Sequence, residues 1–119
     1  MKTERVAKNI DELYQIEGIE ACVLYRIDGS PILVKGKKRD QEIITTMSWM
    51  ENQIKFVLQK IREKDLENLK FSLKNKKIFF YPSSKSTVIA TVINKDAHQK
   101  LISLEITRTK EKINEILTT

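Results

Sequence analysis

The sequence predicts an α+β domain of order αββαβββα, a five-stranded antiparallel sheet with helices on both faces. Three observations carry this. Over residues 40–64, Ile43, Met47, Met50, Ile54, Val57 and Ile61 recur at 4-3-4-3-4 spacing, with Leu58 on the flank, so one long helix lays an apolar stripe on a core. Residues 19–27 and 86–94 are apolar on both alternating faces, which makes them central strands needing cover on two sides. Between the periodic segments stand turn signals: Asp28-Gly29 with Pro31 beyond, Asn75-Lys76, and the longer run Pro82-Ser83-Ser84-Lys85-Ser86.

Each element follows from its own pattern. Residues 4–17 read as a helix with Val6, Ile10 and Leu13 on one face and Gly18 as its stop. In the strand over 19–27, Ala21, Val23, Tyr25 and Ile27 face one way and Cys22 and Leu24 the other. Residues 31–34 return beside it as an edge strand, because Pro31 has no amide hydrogen to give. After the long helix, Leu69, Phe71 and Leu73 alternate with Lys70, Ser72 and Lys74 over 67–74, a second edge that no proline protects. Residues 77–82 hold the wholly apolar Ile78-Phe79-Phe80-Tyr81, and 86–94 set Val88, Ala90 and Val92 against Ile89 and Ile93. A last helix over 96–117 aligns Ile102, Ile106, Ile113 and Ile116.

The length, 119 residues, suits one domain over 1–119, and no apolar run reaches the eighteen or so residues that span a bilayer. The start, MKTERVAKNIDEL, is charged where a secretion signal is apolar, and the single Cys22 in an apolar run reads as a buried, inert thiol; both point to the cytoplasm. Net charge is +6, from 22 basic and 16 acidic residues, and the lysine-rich runs 35–39 and 74–77 read as solvated loops.

Catalytic chemistry finds no support. Neither a phosphate-binding loop nor a dinucleotide fingerprint is present, His98 and Cys22 lack companions for a metal site, and Ser83, Ser84 and Ser86 have no general base, so no enzyme, cofactor or metal is expected. A basic chain with Phe79, Phe80 and Tyr81 near lysines raises a nucleic-acid binder as the competing class, yet a sheet covered on both faces offers no open aromatic platform. The unassigned surface lies on the long helix. Trp49 and Phe56, one heptad apart, fall off the core stripe, separated from it by Gln53 and Lys60, and two stacked aromatics on one helix face favour a protein interface.

Residues 16–24, IEGIEACVL, followed by Asp28-Gly29-Ser30-Pro31-Ile32, resemble the opening signature of the roadblock/dynein light chain family, in a prokaryotic or archaeal-like form. The resemblance extends over nearly the whole chain, including the element order, and implies the roadblock fold with its longin- and profilin-like architecture. It also implies a non-catalytic dimeric scaffold, a homodimer or a pair with a roadblock-like paralogue, whose third strands join into one continuous sheet with the second helices side by side. On that basis Leu69, Phe71, Ser72 and Leu73 form the seam with Trp49 and Phe56. The helix pair in such proteins receives a small Ras-like GTPase and in some members affects its nucleotide state. Trp49, Gln53, Phe56 and Lys60 are the partner-binding candidates, joined by Lys37 and Lys38 from a lysine loop that departs from the family pattern. The alternative is a nucleic-acid-binding or ligand-sensing α+β module.

Overall fold

In the computed structural model, which describes residues 2–36 and 41–118, eight elements follow in the order αββαβββα. They are α1 (Lys2–Tyr14), β1 (Ile19–Arg26), β2 (Pro31–Gly36), α2 (Gln41–Lys64), β3 (Leu69–Ser72), β4 (Lys76–Pro82), β5 (Thr87–Asn94) and α3 (Gln99–Thr118). The five strands form one antiparallel sheet in the order β2-β1-β5-β4-β3, so the two strands apolar on both faces sit inside and the two expected edges lie outside. Alternation then divides the core in two. Cys22, Leu24, Phe79, Ile89 and Ile93 face α1 and α3, which cover them with Ile10, Leu13, Ile102 and Ile106. Val23, Ile78, Phe80, Ala90 and Val92 face α2, which meets them with Ile43, Met50, Ile54 and Val57.

Several boundaries depart from the sequence reading, each for a local reason. Helix α1 stops at Tyr14, and Gly18 is a linker residue in the left-handed region (φ 96°). A β-carbon there would stand 2.6 Å from that of Ala97, so glycine is required by both conformation and space. Strand β2 runs on to Gly36, which places Lys35 in a strand, where its ammonium lies 3.6 Å from Asp11 of α1. Strand β3 is four residues long, shorter than the 67–74 segment read from its alternation. The preceding chain is still leaving α2 through Asp65 (φ 50°) and the Leu66 amide donating to Ile61 O (3.0 Å). Helix α3 begins at Gln99, with Nδ1 of His98 accepting from the Leu101 amide (3.2 Å) in the manner of an N-cap. No helix among the described residues is long and apolar enough to cross a membrane.

Candidate partner-binding surface

Strand β3 leaves one side of its backbone open. The Leu73 amide donates to Lys76 O (2.8 Å), and hydrogen-bonded pairs alternate along an antiparallel ladder. With Phe71 opposite Ile78 and Leu69 opposite Phe80, the amides of Leu69, Phe71 and Leu73 turn toward β4, and those of Lys70 and Ser72 point out from the sheet. Side chains divide the other way. Leu69 and Phe71 pack toward α2, and Lys70 lies across the opposite face with its ammonium 4.7 Å from the centre of the Phe79 ring and 3.5 Å from Ser103 Oγ.

Helix α2 crosses above this edge. Trp49 meets the Phe71 ring edge-on (centroids 5.3 Å apart, planes at 71°), and Phe71 in turn meets Phe80 (5.8 Å, 89°). Trp49 is therefore half-buried on β3, where it links the helix to the strand, and is not a free surface anchor. Phe56 is different. It is 50% exposed two turns further on, with the Lys60 ammonium 5.5 Å from its ring centre. Gln53 is half-exposed between them, and Gln59 and Lys60 are tied to Glu63 by a 2.8 Å hydrogen bond and a 3.9 Å ion pair. Leu73 is half-buried beyond the end of β3, and Ser72 is exposed on it. The structure thus joins Trp49, Leu69, Phe71 and Leu73 in one cluster and leaves Phe56 apart. Lys37 and Lys38 lie outside the described residues.

The run 74–77 is not wholly a solvated loop. Lys76 and Lys77 belong to β4, and Lys76 is 6% exposed, ion-paired with Glu20 of β1 and 3.9 Å from Glu42 in the first turn of α2. Asn94, opposite Lys76 on β5, donates to the other Glu20 oxygen (3.4 Å). A signal existed in the sequence: extending the alternation of Ile78 and Phe80 back by two residues puts Lys76 on the same buried face.

Burial also governs the titrating groups. It pushes the Cys22 thiol up to about 12, and it pushes the Tyr25 phenol up to about 12 with help from the nearby Glu51 carboxylate. A thiol so held is protonated at neutral pH and unreactive. Among the described residues no group of three or more His, Cys, Asp or Glu stands where it would hold a metal ion. Phe79, Phe80 and Tyr81 are at most 5% exposed, so none can stack on a base.

This architecture is the roadblock fold. A roadblock/LC7 domain from Streptomyces avermitilis superposes with a TM-score of 0.70 at 15% identity, over 94% of this chain and 97% of that one. The gliding protein MglB from Thermus thermophilus gives 0.75 at 12% identity, covering 97% and 90%, and Myxococcus xanthus MglB gives 0.76 at 11%, covering 95% and 94%. At such identities the likeness is one of fold. In sequence, the profile described as AF0774-like protein matches residues 2–107, and the chain belongs to that family. No curated protein matches it.

Proposed function

We propose that the chain is a non-catalytic dimeric scaffold or regulator of the cytoplasm, acting as one domain over 1–119, which binds a small Ras-like GTPase and modulates its nucleotide state. The observation that carries this is the open β3 edge: outward amides on Lys70 and Ser72, a strand free of proline, and an aromatic cluster bracing it from behind. Pairing of two such edges, or of one with a roadblock-like paralogue, makes a continuous sheet and brings two α2 helices together. The fold supports the reading, as does its presence in an MglB described in a tetrameric arrangement, which superposes with a TM-score of 0.75 at 11% identity. The GTPase partner rests on the family resemblance, and the exposed Phe56 with Gln53 and Lys60 is the surface offered to it. Light scattering on the purified chain, followed by a binding assay with a small GTPase, tests both halves. A monomeric mass at micromolar concentration overturns the first and absence of GTPase binding the second.

A further inference from the structure

The sheet has a second edge, at the end opposite β3. Among the described residues β2 pairs with β1 alone. In β1 the Ile27 amide donates to Ser86 O on the β5 side (2.9 Å) and the Arg26 amide to Ser30 O on the β2 side (2.8 Å), and this direction alternates along the strand. Leu24 and Cys22 therefore bond β2 through Leu33 and Lys35, and the amides of Val34 and Gly36 point out from the sheet. Pro31 and the register shift between the Leu24 and Tyr25 pairs blunt the first half of this edge, and the half from Val34 to Gly36 carries neither device.

Beside it, between β2 and the flank of α2 turned away from Trp49, lies an open groove of about 480 Å³. Val34 pairs with Val23 of the α2-facing core, so its side chain stands on that side, 47% exposed, and lines the groove together with Ile44, 42% exposed. Helix and strand run antiparallel here: a β-carbon on Gly36 would stand 3.2 Å from Met47 Sδ, and one on Gly29 would stand 3.5 Å from Lys55 Cγ. Ile44 thus lies toward the Gly36 end of the groove and Glu51 toward the Pro31 end. Glu51 is the one charged residue among those that line it. Burial, aided by the Glu51 carboxylate, raises the Tyr25 phenol, so the two groups are neighbours. No cation among the described residues pairs with Glu51: Lys55, one turn on, lies along the β1–β2 turn, and Lys35 is on the other face of its strand with Asp11.

We propose that this edge docks an extended segment of a partner protein, which adds a strand antiparallel to β2, sets an aliphatic side chain against Val34 and Ile44, and two residues later lays a lysine or arginine along the groove with its cation at Glu51. Backbone bonds to Val34 and Gly36 hold the strand, and the groove selects its side chains. The dimensions agree. From Ile44 to Glu51 the helix rises about 10 Å, and alternate side chains of a strand stand about 7 Å apart, so two of them meet the two ends. A second copy of this chain fits less well, because antiparallel pairing of β2 with itself about Val34 keeps Lys35 on the far face and brings no cation to Glu51. In a dimer joined at β3 both β2 edges remain at the outer ends of the sheet, so the site does not depend on that seam.

The test titrates the full chain, labelled at amide nitrogens and at isoleucine and methionine methyls, with a capped seven-residue peptide of threonine and serine that carries valine at its third position and lysine at its fifth. Saturable shifts at the Val34 and Gly36 amides and at the Ile44 and Met47 methyls are expected, with slowed hydrogen exchange of the two amides. Methylating the nitrogen of the peptide valine abolishes them, because that amide bonds Val34. Glutamine in place of the peptide lysine weakens binding by about two- to fivefold, the size of an exposed ion pair; Glu51→Gln weakens the lysine peptide equally and leaves the glutamine peptide unchanged. Ile44→Ala, at an exposed helical position, weakens both peptides by about threefold or more through lost apolar contact. Shifts confined to Lys70 and Ser72 on the β3 edge, binding that survives N-methylation, equal binding of the lysine and glutamine peptides, or absence of saturable shifts at millimolar peptide overturns the proposal.

Discussion

Trp49 and Phe56 carry similar chemistry in different surroundings, and their substitutions separate accordingly. Trp49→Ala removes the ring that ties α2 to Phe71, and destabilises the fold by about 2 kcal/mol, below the range of about 3–5 kcal/mol for fully buried aromatics because Trp49 is half-buried. Phe56→Ala leaves the thermal midpoint nearly unchanged and weakens partner association by about 1–3 kcal/mol, as an aromatic anchor does. Thermal melts beside binding isotherms on both variants check this, and a melt lowered by Phe56→Ala would show that its ring is structural. Two further side chains set the alkaline limit. Cys22 titrates near 9.0 and Tyr25 near 10.0 when free, and burial raises each to about 12. The stability tied to their neutral forms is complete below pH 9 and is lost as pH climbs through 9–12, because the unfolded chain releases these protons first. Denaturant midpoints measured from pH 8 to 11 should fall, and Tyr25→Phe should flatten the fall above pH 10; an unchanged slope would mean that the phenol is solvated.

Strand β3 and the start of β4 make the predictions that belong to single elements. Ser72→Pro deletes an amide that points away from β4, so the ladder inside the monomer survives and pairing at the edge is lost. Light scattering should report a monomer with native helical circular dichroism, and a variant that still dimerises would place the seam elsewhere. At the strand beside it, Lys76→Ala strands the Glu20 carboxylate and costs about 3–5 kcal/mol, whereas Lys76→Met with Glu20→Gln recovers most of that. Urea unfolding of the single and double variants decides, and equal losses in both would mean that packing, not the ion pair, holds the first turn of α2. These elements also show what a sequence can tell. Period-2 and helical apolar patterns placed all eight segments, the two edges and the double-faced centre, because burial imposes those periods directly. Alternation failed at the ends of β3, where Leu73 keeps the apolar phase and a hydrogen bond to Lys76 but lies beyond the strand's last residue, and at Lys76, where lysine composition suggested solvent and an ion pair spanning three elements supplied burial. Trp49 could be seen to lie off the core stripe, but that β3 rises to meet it is a tertiary fact with no local signature.

The molecule as a whole is basic, and that charge separates the proposed function from its competitor. The net +6 attracts any acidic surface, protein or nucleic acid, so attraction alone identifies nothing. The two readings differ in where affinity resides. If α2 serves a small GTPase, association depends on Phe56 and its neighbours, and replacing Lys37 and Lys38 by glutamine alters mainly the on-rate and its response to salt. If the chain instead binds nucleic acid, the same lysine substitutions remove most of the affinity, and binding falls steeply with salt because each neutralised phosphate releases counterions. Kinetic binding to a small GTPase and to single- and double-stranded oligonucleotides, at about 50 and 200 mM salt, distinguishes the two. The expected result is GTPase binding lost with Phe56→Ala and only slowed by the lysine changes, with weak, salt-labile oligonucleotide binding. Because Phe56 can also lie in an α2–α2 contact between protomers, dimer mass is measured on the same variant. An intact Phe56→Ala dimer with full GTPase affinity would remove Phe56 from the binding surface, and a dissociated one would place it in the seam with Leu69, Phe71 and Leu73.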